Sequence, residues 1–443
     1  MRRAVTLALK AVLGLFYRRL AAEGLDRFPV AGPAIAVLNH PNGLIDPAIL
    51  LALSPRPVSF LAKAPLFRTP VLSFFTRALD SIPVWRPQDG GSSPEKTRET
   101  FARAREVLEK GGVIALFPEG TTHDDPSLKP LKSGAARLAL GAASRLRQGG
   151  PPLTIVPGGL FFPKKTIFRS DALLVFGEPF EVPLASETDA GPDPRAVRDL
   201  TGRIAQALAR VTVQADAHEA LQLAAAAEAI VTGGEAGELP EAFAVRRLLL
   251  RGYSRLKETR PEDVEEVATR IRRHRDALAA ARLDEGSLAP LEAHPASALL
   301  SALLALVVGA VVLPFALLGF ATHYPVYRLV GVLAARYAKD DESVLATGKL
   351  LGGLLFFPLL WLLLALAAFL RAGLGAGLLS LALLPACGFL ALLLGERLES
   401  SLASLRALGI LLFRRRSALR LLAERRAIRE RLVSLSSEVP PES

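Results

Sequence analysis

Two apolar stretches constrain this chain more than anything else in it. Residues 296–321 read "ASALLSALLALVVGAVVLPFALLGFA", and residues 350–395 read "LLGGLLFFPLLWLLLALAAFL", then Arg371, then "AGLGAGLLSLALLPACGFLALLLG". About 20 consecutive apolar residues suffice to cross the hydrocarbon core of a bilayer. A helix buried in a soluble protein normally keeps a polar stripe, and these runs have none. The simple reading is three membrane helices, 296–321, 350–370 and 372–395, with Arg371 at the turn of a helical hairpin. The following segment, 396–443, contains "FRRRSALRLLAERRAIRER" and is expected on the cytoplasmic side, where Lys and Arg accumulate. If the N-terminal half is cytoplasmic as well, the number of crossings must be even. One resolution is that residues 296–321 form a re-entrant or surface-lying element bent at Pro314.

The formal net charge of +11 is carried mostly by Arg and suits anionic lipid head groups, phosphorylated substrates or nucleic acid. Nucleic acid is set aside because the basic residues flank apolar spans and no groove-reading motif or stacking platform accompanies them. The single cysteine, Cys387, excludes an intramolecular disulfide, a thiolate zinc cluster and a thioredoxin-type motif. The opening segment, residues 1–24, resembles a signal peptide in outline, but Lys10 interrupts its apolar stretch and Arg18 and Arg19 stand where a cleavage region belongs. It reads as a basic amphipathic helix, either lying at the membrane interface or packing on the protein.

Between residues 25 and 185 the chain alternates short apolar runs ("AIAVL", "VSFLA", "DSIPVW", "GVIALF", "LTIVPGGLFF", "ALLVFG") with helix-like segments ("FRTPVLSFFTRAL", "SPEKTRETFARAREVLEKG", "LKSGAARLALGAASRLRQ"). That alternation is the signature of an α/β domain. Residues 186–295 turn to Ala, Glu and Arg with helical periodicity and form a helical extension broken at "TGGEAGELP"; residues 296–395 are the membrane region.

Within the α/β part, "VLNHPNGLIDPAIL" places His40 on the turn where a strand ends. Taken alone, Asp46 reads as the N-cap of the next helix with Pro47 in its first position, and His40 as a hydrogen-bonded loop residue. "IPVWR" ends a strand with Arg86, "VIALFPEGTTHDD" ends one at a Pro-Glu-Gly turn, and "LKPLKSG" carries Lys129 and Lys132 ahead of a helix. Singly, Arg86 reads as a surface charge, Glu119 as a turn residue and Lys132 as a solvated neighbour of a helix start. Loops at the ends of adjacent strands of an open sheet converge, which makes the set more than its members.

The order "NHPNGLID", "IPVWR", "FPEGTT", "IVPGGL" resembles the four sequence blocks of the glycerolipid acyltransferase family, over roughly residues 20–185. "FPEGTTHDDPSLKPLKSGAARLALGA", "VTVQADAHEALQLAAAAEAI" and "RRLLLRGYSRLKETRPEDVEEVATRIRRHRDAL" are similar to the fungal-type glycerol-3-phosphate and dihydroxyacetone-phosphate acyltransferases and their bacterial relatives, extending the likeness to about residue 285. Two departures stand out. Five residues, "PNGLI", separate His40 from Asp46 where the wider family has four, and Gly158 and Gly159 follow Pro157 where bulkier apolar residues are common. The resemblance implies an α/β acyltransferase domain, with a central mixed sheet flanked by helices, followed by the helical extension and C-terminal transmembrane helices.

Acylating an alcohol with a thioester requires a base for the hydroxyl proton, and a neutral imidazole suits that task. His40 fits, with Asp46 orienting its ring and stabilising the imidazolium, provided the turn folds back. Backbone N–H groups near the Asp46 helix start or the Gly120 turn are candidates for the oxyanion. Arg86 and Lys132, with Gly120 and Thr121, are candidates for an acceptor phosphate. Glu119 either accepts a glycerol hydroxyl or holds Arg86. His123 follows the Glu119 turn and has the next claim on the site, whereas His218, His274, His294 and His323 read as helix or loop surface. No G-x-S-x-G elbow is present and Cys387 lies in an apolar run, so a covalent acyl-enzyme is disfavoured. No set of residues has metal-ligand spacing, and no cofactor is expected beyond the thioester co-substrate.

The resemblance implies transfer from acyl-CoA or acyl-carrier protein to glycerol 3-phosphate, making lysophosphatidate for phospholipid synthesis. Acylation of lysophosphatidate or another lysolipid is the alternative, and a catalytically silent membrane scaffold is the reading from outside the enzymes. An integral location among membrane phospholipids, with the catalytic domain facing the cytoplasm of a bacterial inner membrane, follows from the same resemblance.

Overall fold

The computed structural model describes residues 2–68, 70–85, 93–146, 151–185, 187–188, 191–234, 238–288, 295–339, 342–413 and 415–437. The chain divides into two compact units, one of residues 1–214 and 341–347 and one of residues 215–340 and 348–443.

The first unit is built on an eight-stranded sheet. Its strands are β1 (Arg19–Glu23), β2 (Ala34–Leu38), β3 (Val58–Lys63), β4 (Ile82–Val84), β5 (Val113–Leu116), β6 (Thr154–Phe161), β7 (Asp171–Phe176) and β8 (Phe180–Glu181). They lie in the order β1-β7-β6-β2-β5-β3-β4, with β8 on β6. The run from β6 to β4 is parallel, whereas β6 and β7 pair antiparallel, so the sheet is mixed. All residues of β2, β5 and β7 are buried, as expected where both faces of a strand are covered. The helices α1 (Arg2–Phe16), α2 (Ile45–Leu53), α3 (Pro70–Ala78), α4 (Pro94–Glu109), α5 (Gly134–Leu146) and α6 (Pro194–Val211) complete the unit. The six apolar runs of the sequence are thus the strands β2 to β7, and the three helix-like segments are α3, α4 and α5.

The first 24 residues do not form a single helix. Helix α1 ends at Phe16, and residues 19–23 are β1, paired parallel with β7. Arg18 and Arg19 reach Asp171 at 3.2 and 2.7 Å, which ties the entry of β1 to the start of β7. Burial works against the charge of Asp171, but the hydrogen bonds from Arg19 and Arg18 outweigh it and hold the carboxyl below its ordinary range. Helix α1 contributes Leu13 and Phe16 to the core and packs against α2.

In the second unit, helices α7 (His218–Thr232), α8 (Leu239–Thr259) and α9 (Pro261–Ala281) pack with a C-terminal helix, Arg415–Ser437. The shared core holds Ala227 and Ile230, Val267 and Ile271, and Ile428 and Leu435. The basic segment is therefore a docked helix rather than a loose tail. Arg425 is buried within it, donating to Glu285 Oε2 at 3.0 Å and to the Ile230 carbonyl at 3.1 Å. Glu285 Oε1 lies 2.9 Å from His274 Nε2. His274 is thus a core residue, contrary to its surface reading; its partner Glu285 sits 11 residues away and is itself bound by Arg425 of the C-terminal helix.

Among the described residues three helices are long and apolar enough to cross a membrane, over Val307–Ala338, Val344–Ala372 and Leu374–Ala407. The expected bounds of the first, 296–321, are corrected: the helix runs unbroken from Pro295 to Ala338 through Pro314 and Pro325, with no chain reversal at Pro314. The expected hairpin turn near Arg371 falls at Gly373, whose positive φ of 80° closes the helix. The first and third of these helices approach closely at small residues, since a Cβ on Gly319 would stand 2.0 Å from the Cys387 carbonyl oxygen. His323 lies within the first, and its Nε2 accepts from Trp361 at 2.9 Å, so it is not a loop residue. His218 is exposed at the start of α7, and His294 lies outside the described residues.

Candidate active site

Strand β2 delivers His40 two residues beyond its last residue, Leu38, on the turn into α2. Asn39 anchors that turn: its side chain donates to the Leu160 carbonyl at 3.1 Å and accepts from the Leu160 N–H at 2.7 Å, clamping β2 to β6. The His40 ring stacks on Phe117, with centroids 4.0 Å apart and planes 9° apart, and Phe117 faces Phe60 in turn. Nδ1 of His40 lies 2.8 Å from Asp46 Oδ2. The carboxylate can only accept, so this contact assigns the proton to Nδ1 and leaves a lone pair on Nε2. The ring is 18 % exposed, and Nε2 has no hydrogen-bond partner among the described residues.

Asp46 is not the helix N-cap. Leu44 holds that position, and Asp46 lies within the first turn of α2 with its side chain folded back over the preceding loop. Its Oδ2 also accepts the Asn42 N–H at 2.7 Å, so the five-residue segment between His40 and Asp46 closes as a loop around one carboxylate oxygen. The cap reading failed because it considers only donors inside the helix. Burial drives the Asp46 pKa upward, against the opposing effects of His40, the Asn42 N–H and Lys165.

Glu119 stands at the end of β5, the neighbour of β2. It is fully buried, and its oxygens already hold protein donors: His40 N–H at 3.0 Å on Oε1, Lys129 N–H at 2.9 Å on Oε2, and His123 Nε2 on Oε2. Oε1 thus carries one donor and Oε2 two, and Glu119 serves as a structural acceptor within the fold. It ties the β2–α2 turn to the loop between β5 and α5. Among the backbone donors proposed for an oxyanion, those of Asn42, Leu44, Ile45 and Gly120 are occupied, by Asp46, Thr347 Oγ1, the Asn42 carbonyl and the Phe117 carbonyl.

Gly120 has φ of +70°, and a Cβ there would meet Lys132 Nζ at 2.7 Å. Lys132 is therefore brought to the Glu119 turn, helped by its own N–H, which bonds the Pro118 carbonyl at 2.8 Å. Its side chain is exposed, as is Thr121, whose hydroxyl donates to the Thr122 carbonyl at 3.3 Å. Arg86 lies outside the described residues, although its strand, β4, ends two positions before it. Sequence reasoning missed Lys165, which bonds the Pro41 carbonyl at 3.3 Å and pairs with Asp124, and Tyr17, buried 3.5 Å from Asn42 Nδ2. The two unusual glycines also find their reason. A Cβ on Gly159 would overlap the Val211 carbonyl at 1.7 Å, where α6 ends against β6, and one on Gly158 would press on Leu38 at 3.0 Å.

Comparison with known proteins fits this arrangement. Residues 19–160, spanning β1 to β6, match the model of the Acyltransferase family. An uncharacterized acyltransferase of Schizosaccharomyces pombe is 27 % identical over 336 residues, 56 % of this chain and 50 % of the relative. Glycerol-3-phosphate O-acyltransferase 2 of Saccharomyces cerevisiae is 35 % identical over 162 residues, 36 % of this chain and 22 % of the relative. A chloroplastic 1-acyl-sn-glycerol-3-phosphate acyltransferase of Arabidopsis thaliana is 28 % identical over 149 residues, 33 % of this chain and 38 % of the relative. The chain spans half or less of the length of these curated relatives. With the matched segment ending on β6 and enclosing the His40–Asp46 pair and the Glu119 turn, residues 19–160 are an Acyltransferase-family domain.

Proposed function

We propose that this protein is a membrane-bound O-acyltransferase that moves a fatty acyl group from an acyl-CoA or acyl-carrier-protein thioester to glycerol 3-phosphate. The observation that carries the reading is the His40–Asp46 pair at 2.8 Å with Nε2 left open at the end of β2. In this mechanism Nε2 takes the acceptor hydroxyl proton as its oxygen attacks the thioester carbonyl. Asp46 stabilises the resulting imidazolium. The tetrahedral intermediate expels the thiolate as the C–S bond breaks, and the imidazolium returns the proton to sulfur. Lys132, with Arg86, Gly120 and Thr121, is assigned to the acceptor phosphate, since charge-assisted donors bind phosphate oxygens best. The relative named for glycerol 3-phosphate supports the small acceptor, and the chloroplast relative supports lysophosphatidate as the second reading.

The membrane arrangement is part of the proposal. The C-terminal helix and α7–α9 share one packed core, so they lie on one side of the membrane. The chain between residues 288 and 415 then crosses an even number of times, and one of the three apolar helices does not pass fully through. We assign that side to the cytoplasm because of the Arg content of the C-terminal helix.

The test is the purified full-length protein in mixed micelles, given labelled acyl-CoA and acyl-carrier protein with glycerol 3-phosphate, dihydroxyacetone phosphate and lysophosphatidate in parallel. Glycerol 3-phosphate is expected to be acylated fastest, and His40→Ala is expected to abolish the reaction. Preference for lysophosphatidate would transfer the assignment to the second reading, and robust turnover by His40→Ala would refute the mechanism.

A further inference from the structure

A second histidine stands behind the first. His123 lies four residues beyond Glu119, with only 9 % of its side chain exposed. Its Nδ1 accepts the Asp125 N–H at 3.1 Å. A backbone amide can only donate, so Nδ1 carries a lone pair and the ring proton sits on Nε2. That nitrogen is directed at Glu119 Oε2. The opposite oxygen, Oε1, takes the His40 N–H at 3.0 Å, and the His123 N–H reaches back to the His40 carbonyl at 3.4 Å. The two histidine segments therefore grip each other twice, once directly and once through the buried carboxylate.

We propose that His123 is a positioning residue for acyl transfer: its Nε2–H orients Glu119, and Glu119 in turn fixes the backbone at His40 so that Nε2 of His40 meets the acceptor hydroxyl. This rests on the acyltransferase reading above. The chemistry requires an imidazole aimed within a fraction of an ångström, and His40 is held by its ring contacts and by this backbone bond. Losing the Nε2–H would leave a buried carboxylate oxygen with the Lys129 N–H alone and would free Glu119 to rotate away from His40. The inference concerns turnover rather than binding, because His123 is directed at Glu119 and not at the open Nε2 of His40.

The test uses His123→Ala, His123→Asn and His123→Gln in the full-length protein. A glutamine amide places an N–H near the position of the histidine Nε2, whereas the asparagine amide mimics Nδ1 and falls short of Glu119. His123→Ala and His123→Asn are expected to lower kcat roughly ten-fold or more with both KM values within about two-fold, and His123→Gln to recover to within about three-fold of wild type. Unchanged kcat in His123→Ala, or equal kcat in the asparagine and glutamine variants, would overturn the proposal. If His123→Ala fails to fold, the asparagine and glutamine pair decides. If wild type acylates none of the acceptors offered, the acyltransferase reading fails separately. The positioning claim is then read from ¹⁵N-histidine spectra: His40 imidazole resonances displaced in the asparagine variant and restored in the glutamine variant uphold it, and unchanged resonances in both refute it.

Discussion

Replacing Asp46 by Asn tests the catalytic pair, and the loop around it determines how the result reads. In a generic His–carboxylate pair the amide can turn its NH₂ toward the imidazole and impose the wrong tautomer, at a cost of about 10⁴ in kcat. Here Oδ2 accepts two donors at once, His40 Nδ1–H at 2.8 Å and Asn42 N–H at 2.7 Å. An NH₂ group in that position would face the Asn42 N–H, so the amide oxygen is held toward both, and His40 keeps its proton on Nδ1. What is lost is charge. An imidazolium and a carboxylate with centres about 4 Å apart interact by ~4 kcal/mol at an effective dielectric constant of 20, and the neutral hydrogen bond that remains retains about half of the charge-assisted one. The transition state should lose ~2–4 kcal/mol, or roughly 30- to 1,000-fold in kcat at about 1.4 kcal/mol per decade. The assay is kcat at saturating thioester, paired with the ¹⁵N signature of the His40 tautomer. A variant within a few-fold of wild type, or one whose His40 carries its proton on Nε2, would refute the reasoning.

The same substitution should separate activity from stability. Burial raises the Asp46 pKa above its ordinary 3.8, so the native state binds this proton more tightly than the unfolded chain and loses stability as pH rises from that value through the raised one. Asp46→Asn escapes the loss, so thermal melts in detergent should show its advantage growing over that window; a constant or shrinking gap would contradict the assignment. Gly159→Ala should misfold or lose most of its stability, because its Cβ would fall 1.7 Å from a backbone oxygen that cannot swing aside, and soluble, active protein would count against the packing. Arg425→Ala removes the guanidinium from the buried Glu285 Oε2, leaving His274 as its remaining partner, and should destabilise the helical unit by about 3–5 kcal/mol, seen as faster limited proteolysis of α7–α9. For sidedness, Ser417→Cys in a Cys387→Ala background presents an exposed thiol on the C-terminal helix. An impermeant maleimide should label it only after cells are opened, and labelling of intact cells would place that helix outside.

The sequence by itself determined whatever depends on neighbours along the chain. Apolar runs five to ten residues long bounded by turns became β2 to β7, and the long apolar runs became membrane-length helices, because patterning and length are local properties. The meeting of His40 and Asp46 was legible for the same reason, since the two are six residues apart on one turn. The roles of the polar side chains around them were not. Asp46 looked like a cap until the Asn42 N–H claimed it, and the sequence read Glu119 as a hydroxyl acceptor or a holder of Arg86 without showing that His40, His123 and Lys129 also donate to it. Residues 19–23 looked like the end of a helix because only Asp171, some 152 positions away, makes Arg19 an anchor for a strand. The C-terminal helix carries many charges and reads as solvated, yet Arg425 is buried because Glu285 and the Ile230 carbonyl, 140 and 195 positions away, satisfy it. A charge or an amide has several acceptable partners, and which one it meets depends on the packing of the sheet and helices rather than on adjacent residues. Tertiary structure alone decided those pairings, whereas the hydrophobic pattern had already determined where the strands and helices would lie.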